Sequence, residues 1–149
     1  MASLIDFYSQ EVKMNSEWLP IFLPPGTETL LTSIFLRVES VQDKLVLQST
    51  IGWKPEPSSL PIVPKLTIRI RRGGFASTFP EVYQITDSEY LGTGTKSANY
   101  LTTTINHVDS PDSSMIGTTQ HYFLTVQSSG LGSIEVVGPI TFTGMTIGF

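Results

Sequence analysis

The chain has 149 residues, 13 of them acidic and 9 basic, for a net charge of -4, and it has no cysteine. A chain of that length builds one domain with a sizeable core; its composition excludes disulfides, thiolate metal sites and cysteine nucleophiles, and its mild acidity argues against the basic face that phosphate neutralisation requires. Charged residues make up 15% of the chain, against about 25% in a typical soluble domain, while 40% is hydrophobic.

Residues 1–12 carry no Lys or Arg and are interrupted by Ser3, Asp6, Ser9, Gln10 and Glu11, so no secretory signal is expected there. No apolar run approaches the roughly 18 residues of a membrane span, and neither membrane nor nucleic acid is expected as a partner. The opening already alternates, with Leu4, Asp6, Tyr8 and Val12 against Ile5, Phe7 and Ser9. Alternation of period two marks a half-buried strand. It recurs at Leu30, Thr32, Ile34, Leu36 and Val38 against Leu31, Ser33, Phe35, Arg37 and Glu39, where the first set is the expected core face. Further on, Leu66, Ile68 and Ile70 alternate with Thr67, Arg69 and Arg71, and Tyr122, Leu124 and Val126 with His121, Phe123 and Thr125. Turn residues punctuate these runs at Pro24-Pro25-Gly26, Arg72-Gly73-Gly74 and Ser128-Ser129-Gly130. Strands are predicted at 3–12, 17–23, 29–39, 44–53, 65–72, 75–79, 98–107, 119–127, 133–142 and 144–148. No helical period is sustained. The expected fold is all-β, a single-domain antiparallel β-sandwich over residues 1–149, and among sandwiches a jelly roll.

Two loops break the rhythm. Residues 54–64 contain Pro55, Pro57, Pro61 and Pro64, which cannot donate to a ladder, so this stretch is expected to cross an end or edge of the sandwich. Residues 109–114 are polar and suited to Asx-turns, without the acidic spacing and closing Glu of a calcium loop.

Catalytic chemistry finds little to use. A serine triad needs a histidine oriented by a carboxylate, and His107 and His121 are the only histidines. His121 reads as a surface or interface histidine opposite Tyr122 and Leu124. His107 and Asp109 make a two-residue pair that lacks the third ligand of a metal site. No catalytic residue, metal or cofactor is assigned. Gly92-Thr93-Gly94-Thr95 is not a phosphate loop, because no P-loop lysine or helix follows in register. Arg69 and Arg71 share a strand face and are candidate contacts for an anionic group, a sugar or a neighbouring subunit's carboxylate; the competing reading is a solvated outer face.

The termini point to assembly. Ile140 and Phe142 alternate with Thr141 and Thr143, and the chain stays apolar to Phe149. Leu4, Ile5, Phe7, Tyr8, Ile147 and Phe149 are therefore the candidate assembly interface, and residues 1–13 a candidate exchanged or donated strand. The backbone bonds of such a strand, at ~1 kcal/mol each, only offset the ~1–2 kcal/mol per residue of ordering it. Donation would depend on side chains such as Ile5 and Phe7 filling a groove, at ~1.5–3 kcal/mol apiece.

Four blocks carry a family likeness: Ile68-Arg69-Ile70-Arg71-Arg72-Gly73-Gly74, Asp87-Ser88-Glu89-Tyr90, Gly117-Thr118-Thr119-Gln120-His121-Tyr122-Phe123-Leu124-Thr125-Val126, and Val136-Val137-Gly138-Pro139-Ile140-Thr141-Phe142-Thr143-Gly144. In their order, mainly over 66–149, and with the opening Leu4-Ile5-Asp6-Phe7, the chain resembles the exosporium protein C family of spore-surface proteins from Bacillus-type bacteria. The resemblance implies a structural, non-enzymatic component of the exosporium or outer coat. It also implies synthesis in the mother-cell cytoplasm without a signal peptide, and partnership with itself and with other spore-surface proteins. Residues 54–64 and 109–114 depart from the family pattern. Spore appendage fibres built from jelly-roll subunits with donated strands are cross-linked through cysteines, so here a ring, trimer or fibre would be held non-covalently. The alternative is a carbohydrate- or surface-binding jelly-roll module such as a phage fibre head, with Trp18, Trp53, Tyr83, Tyr90 and Tyr100 as the aromatics available to stack on sugars.

Overall fold

A computed structural model describes residues 1–14, 16–56, 61–91, 100–130 and 132–149. Nine strands are found among them: β1 (Ser3–Val12), β2 (Ile21–Phe22), β3 (Thr29–Arg37), β4 (Lys44–Pro55), β5 (Pro64–Arg72), β6 (Glu81–Ser88), β7 (Leu101–Asp109), β8 (Thr119–Gly130) and β9 (Ile134–Gly148). One sheet has the order β1-β9-β4-β7, with the short β2 pairing with β9; the other has the order β3-β8-β5-β6.

The antiparallel pairs nest. β1 lies on β9, β3 on β8, β4 on β7 and β5 on β6, so the chain is one long hairpin wound into a two-sheet sandwich of eight principal strands. Successive principal strands alternate between the sheets except at β5–β6. That is the strand order of a jelly roll, the fold class expected from a chain of many short alternating segments.

The core lies where the inward residues of both sheets interdigitate. Its largest wholly buried side chains are Trp53, Tyr122 and Phe142, with Ile34, Leu36, Leu45, Leu47, Ile51, Leu66, Ile68, Ile70 and Leu124. Each contributes ~1.5–3 kcal/mol by leaving water. The indole and phenol groups among them are partnered, as most buried polar groups are. Trp53 Nε1 donates to Thr103 Oγ1 at 2.9 Å, and Thr103 donates on to Asp87 at 2.6 Å. The Tyr122 hydroxyl donates to Asp109 at 2.7 Å.

Several strands differ from their predicted bounds. Only Ile21–Phe22 of the 17–23 segment pairs. Residues 75–79 are a loop and β6 runs instead over Glu81–Ser88, an edge strand whose exposed alternate positions weaken its apolar signal. The segments 133–142 and 144–148 form the single strand β9. Gly144 does not end it; a Cβ there would lie 2.5 Å from Ile34 Cδ1 and 2.6 Å from Leu36 Cδ1, so glycine is what lets the two sheets close at this point. A register shift between Leu30 and Thr32 turns Leu30 out of the expected core face, leaving it exposed. Of the proline-rich stretch, Pro55 ends β4 and Pro64 begins β5, so it joins one sheet to the other; Pro57 lies outside the described residues, as do the Gly92–Thr95 stretch and the predicted strand start at 98–99.

Candidate assembly face

β1 is an edge strand of its own sheet, paired with β9 from Ser3↔Gly148 to Val12↔Ile140. An irregularity between Leu4 and Asp6 changes which side chains face out. Leu4 consequently sides with Phe7 and Ile147 rather than with Tyr8, contrary to simple alternation. Ile5 lies against Gly148 and Tyr8 packs on the core. The six candidate interface residues therefore divide: Leu4, Phe7 and Ile147 belong to the outer surface of the β1-β9-β4-β7 sheet, Ile5 and Tyr8 do not, and Phe149 is exposed just past the end of β9.

Residues paired in register share a face, so the ladders order that outer surface into rows. Phe7 pairs with Met145, Met145 with Val46 and Val46 with Val108. The result is an apolar row crossing all four strands. Leu4, Phe7, Val108 and Phe149 are each more than half exposed, at 60%, 54%, 51% and 66%. The next row is Ser9, Thr143, Gln48 and Asn106, and the one after it Glu11, Thr141, Thr50 and Thr104. Hydroxyls tie neighbours within these rows, Ser9 Oγ to Thr143 Oγ1 at 3.1 Å and Thr50 Oγ1 to Thr104 Oγ1 at 3.4 Å. From the Phe7 row to Thr141 and Thr104, with Glu11 at one corner and Lys44 beyond the opposite end, the rows carry no other charged side chain.

The outer surface of the other sheet is the reverse. Arg69 and Arg71 do share a face of β5, but it is neither solvated nor empty. Arg71 donates to both Glu28 oxygens at 2.6 and 2.8 Å and to the Phe79 carbonyl at 3.0 Å. Arg69 donates to Gln127 at 2.6 Å and Gln84 at 2.9 Å, and Thr125 donates to Glu28 at 2.7 Å. The carboxylate that the sequence left open is thus Glu28 of the same chain, on the loop between β2 and β3. The Arg71 guanidinium holds the Glu28 carboxyl below its ordinary range against the opposing effect of burial. A second loop, 73–80, folds back through Arg72 N–H to Pro80 O and Gly73 N–H to His121 O. Gly73 takes a positive φ of 89°, and Gly74 leaves room for the Phe79 ring, which a Cβ would strike. With the two loops laid over it, Arg71 is buried to 6% and Thr125 completely.

His121 is stacked between Phe35, 3.8 Å away by ring centroids, and Phe123 at 3.9 Å. Burial holds its imidazole below the ordinary histidine range. His107 stacks on Tyr83 at 4.8 Å, and Asp109 accepts from Arg72 and from the Tyr122 hydroxyl. Asp112 accepts from Ser114 N–H at 2.9 Å, the expected Asx-type turn. Among the described residues no group of three His, Asp or Glu side chains could hold a metal ion. Of the five aromatics available for stacking on a sugar, Trp53 is wholly buried in the core and Tyr83 is covered by His107. Trp18 is exposed at the lip of an open cleft of about 420 Å³ lined by apolar side chains alone, among them Val12, Leu19, Ile21 and Leu30. The Lys54 ammonium sits 5.3 Å from the Tyr100 ring centroid, and Tyr90 is exposed.

No protein-family model matches the chain, and no curated protein matches it. Among solved structures it is similar to proteins of infectious bursal disease virus. The structure of the Gx strain is 12% identical with a TM-score of 0.47, over 95% of this chain and 38% of that one. A mutant VP2 protein in derived T=1 particles is 17% identical with a TM-score of 0.48, over 95% and 35%. The chain thus spans well under half the length of these proteins, and at such values the likeness carries no statement of function.

Proposed function

We propose that this protein is a structural, non-catalytic jelly-roll subunit that assembles with copies of itself in the outer layer of a bacterial spore, exosporium or coat, as a ring, trimer or fibre. One observation carries the self-assembly: an exposed apolar row, with a polar row beside it, that crosses one sheet face without a charged side chain, a surface that water covers poorly and a protein surface covers well. Leu4, Phe7 and Ile147, three of the six interface residues expected from the sequence alone, lie on that face. The spore setting has a separate support, the ordered blocks from Ile68 to Gly144 that resemble the exosporium protein C family. The subunit is made in the mother cell and deposited on the forespore. Its partners are itself and other spore-surface proteins, and its contacts are non-covalent because it has no cysteine.

Two measurements test the parts separately. Electron microscopy of the purified chain is expected to show regular oligomers or fibres; a monodisperse monomer at high concentration would overturn self-assembly. Immunogold labelling of sporulating cells of the source organism is expected to decorate the spore periphery, and label confined to the cytoplasm would remove the spore setting. Hits on a glycan array, with the protein monomeric, would favour the carbohydrate-binding alternative.

A further inference from the structure

The two outer sheet faces differ in one respect that selects between them. Around Arg71 the β3-β8-β5-β6 face is covered by the chain's own loops, through Glu28, Gly26 and Phe79, and its exposed Phe35 is stacked on His121. Among the described residues the β1-β9-β4-β7 face has no such cover over the row Phe7, Met145, Val46 and Val108, whose ends Phe7 and Val108 are 54% and 51% exposed. We propose, on the self-assembly reading, that a second copy of this chain covers that bare face, with this row at the centre of the buried area.

Three features on the page favour a copy of the chain over a different partner. The first is extent. Four strands spaced ~4.8 Å apart, running for the length of the β1–β9 ladder at ~3.4 Å per residue, present a flat area of roughly 600 Å². Corrugation by side chains raises that toward the ~800 Å² per partner of a stable interface. The second is the polar complement. Ser9, Thr143, Gln48, Asn106, Thr50 and Thr104 bear hydroxyls and carboxamides, groups that both donate and accept. A face whose polar groups are of that kind satisfies itself across a symmetric contact. The third is charge. A symmetric contact sets like charges against like near its axis, and Lys44 and Glu11 stand in the rows that flank the Phe7 and Ser9 rows, leaving those two rows clear.

The test is sedimentation equilibrium of the full chain with three substitutions that each change the charge of an outward side chain. Met145→Glu places a charge in the centre of the proposed contact and is expected to weaken association about a hundredfold or more, since an unpaired charge must then be desolvated. Val108→Lys, on the edge strand β7 where a lysine is well tolerated, is expected to do the same and guards against a folding defect in the first variant. Gln84→Glu, on the opposite face beside Arg69, is expected to associate as the wild type does. Association unchanged in both Met145→Glu and Val108→Lys would overturn the proposed face while leaving self-assembly standing. A wild-type chain that stays monomeric throughout would overturn both.

Discussion

At the scale of single residues, the stability of the molecule is concentrated where charge enters it. Arg71 lies on a strand face that two loops cover, and its guanidinium is satisfied by Glu28 and the Phe79 carbonyl. Replacing one member of such a pair leaves the other buried without its counter-charge, so Glu28→Gln is expected to cost about 3 kcal/mol, read from urea unfolding at neutral pH. The Glu28 carboxyl is held below its ordinary value of 4.5. A depressed carboxylate stabilises the fold above its unfolded pKa and loses that contribution as pH falls through the folded value. Wild-type stability should therefore decline as the solution is acidified below about pH 4.5, and Glu28→Gln should flatten that limb of the profile. Tyr122 has the opposite sense. Burial, with the hydrogen bond to Asp109, raises its phenol far above the ordinary 10.0, so its contribution is complete below pH 10.0 and erodes as the unfolded chain ionises above it. Tyr122→Phe is expected to cost about 1 kcal/mol at neutral pH and to remove part of the alkaline decline, since Asp109 keeps its bond to Arg72.

At the scale of elements, period-two alternation was enough to find most strands, because a sandwich strand has one face in the core and one outside. It failed where that contrast fades. β6 is an edge strand with its alternate positions exposed, and Gly144 reads as a terminator until Ile34 and Leu36 are seen against it. It also misplaced Leu4, since an irregularity within a strand exchanges faces and leaves no mark in composition. The question of a donated N-terminal strand belongs to this scale. β1 pairs with β9 of its own chain, with Ser9 and Thr143 directly opposed. Because the chain is free of cysteine, Ser9→Cys with Thr143→Cys gives a clean report. An intrachain disulfide with no change of mass on a non-reducing gel is expected, and cross-linked dimers would show instead that β1 is exchanged between copies.

At the scale of the whole molecule, the charged fraction of 15% now has a location. Arg69, Arg71, Arg72, Glu28 and Asp109 are drawn into intrachain pairs on or beside one sheet, and on the outer face of the other the Phe7 and Ser9 rows carry no charged side chain. The sequence made the shortage visible, and with it the apolar residues near both ends of the chain. It could not show that Phe7, Met145, Val46 and Val108 stand in one row, because they come from four strands far apart in the chain brought together only by the jelly-roll pairing. Nor could it show that Arg71 is answered by Glu28, 43 residues away. Both facts depend on which strand lies beside which, and local pattern does not encode that.

The most direct measurement of the claim that this face is covered by another copy is the oxidation of Met145 itself. Peroxide converts an accessible methionine to its sulfoxide, and the exposed Met14 serves as an internal reference away from the row. Mass spectrometry over a dilution series should find Met145 increasingly protected relative to Met14 as the protein is concentrated. A Met145 rate that follows Met14 at every concentration, in a chain that nonetheless assembles, would contradict it.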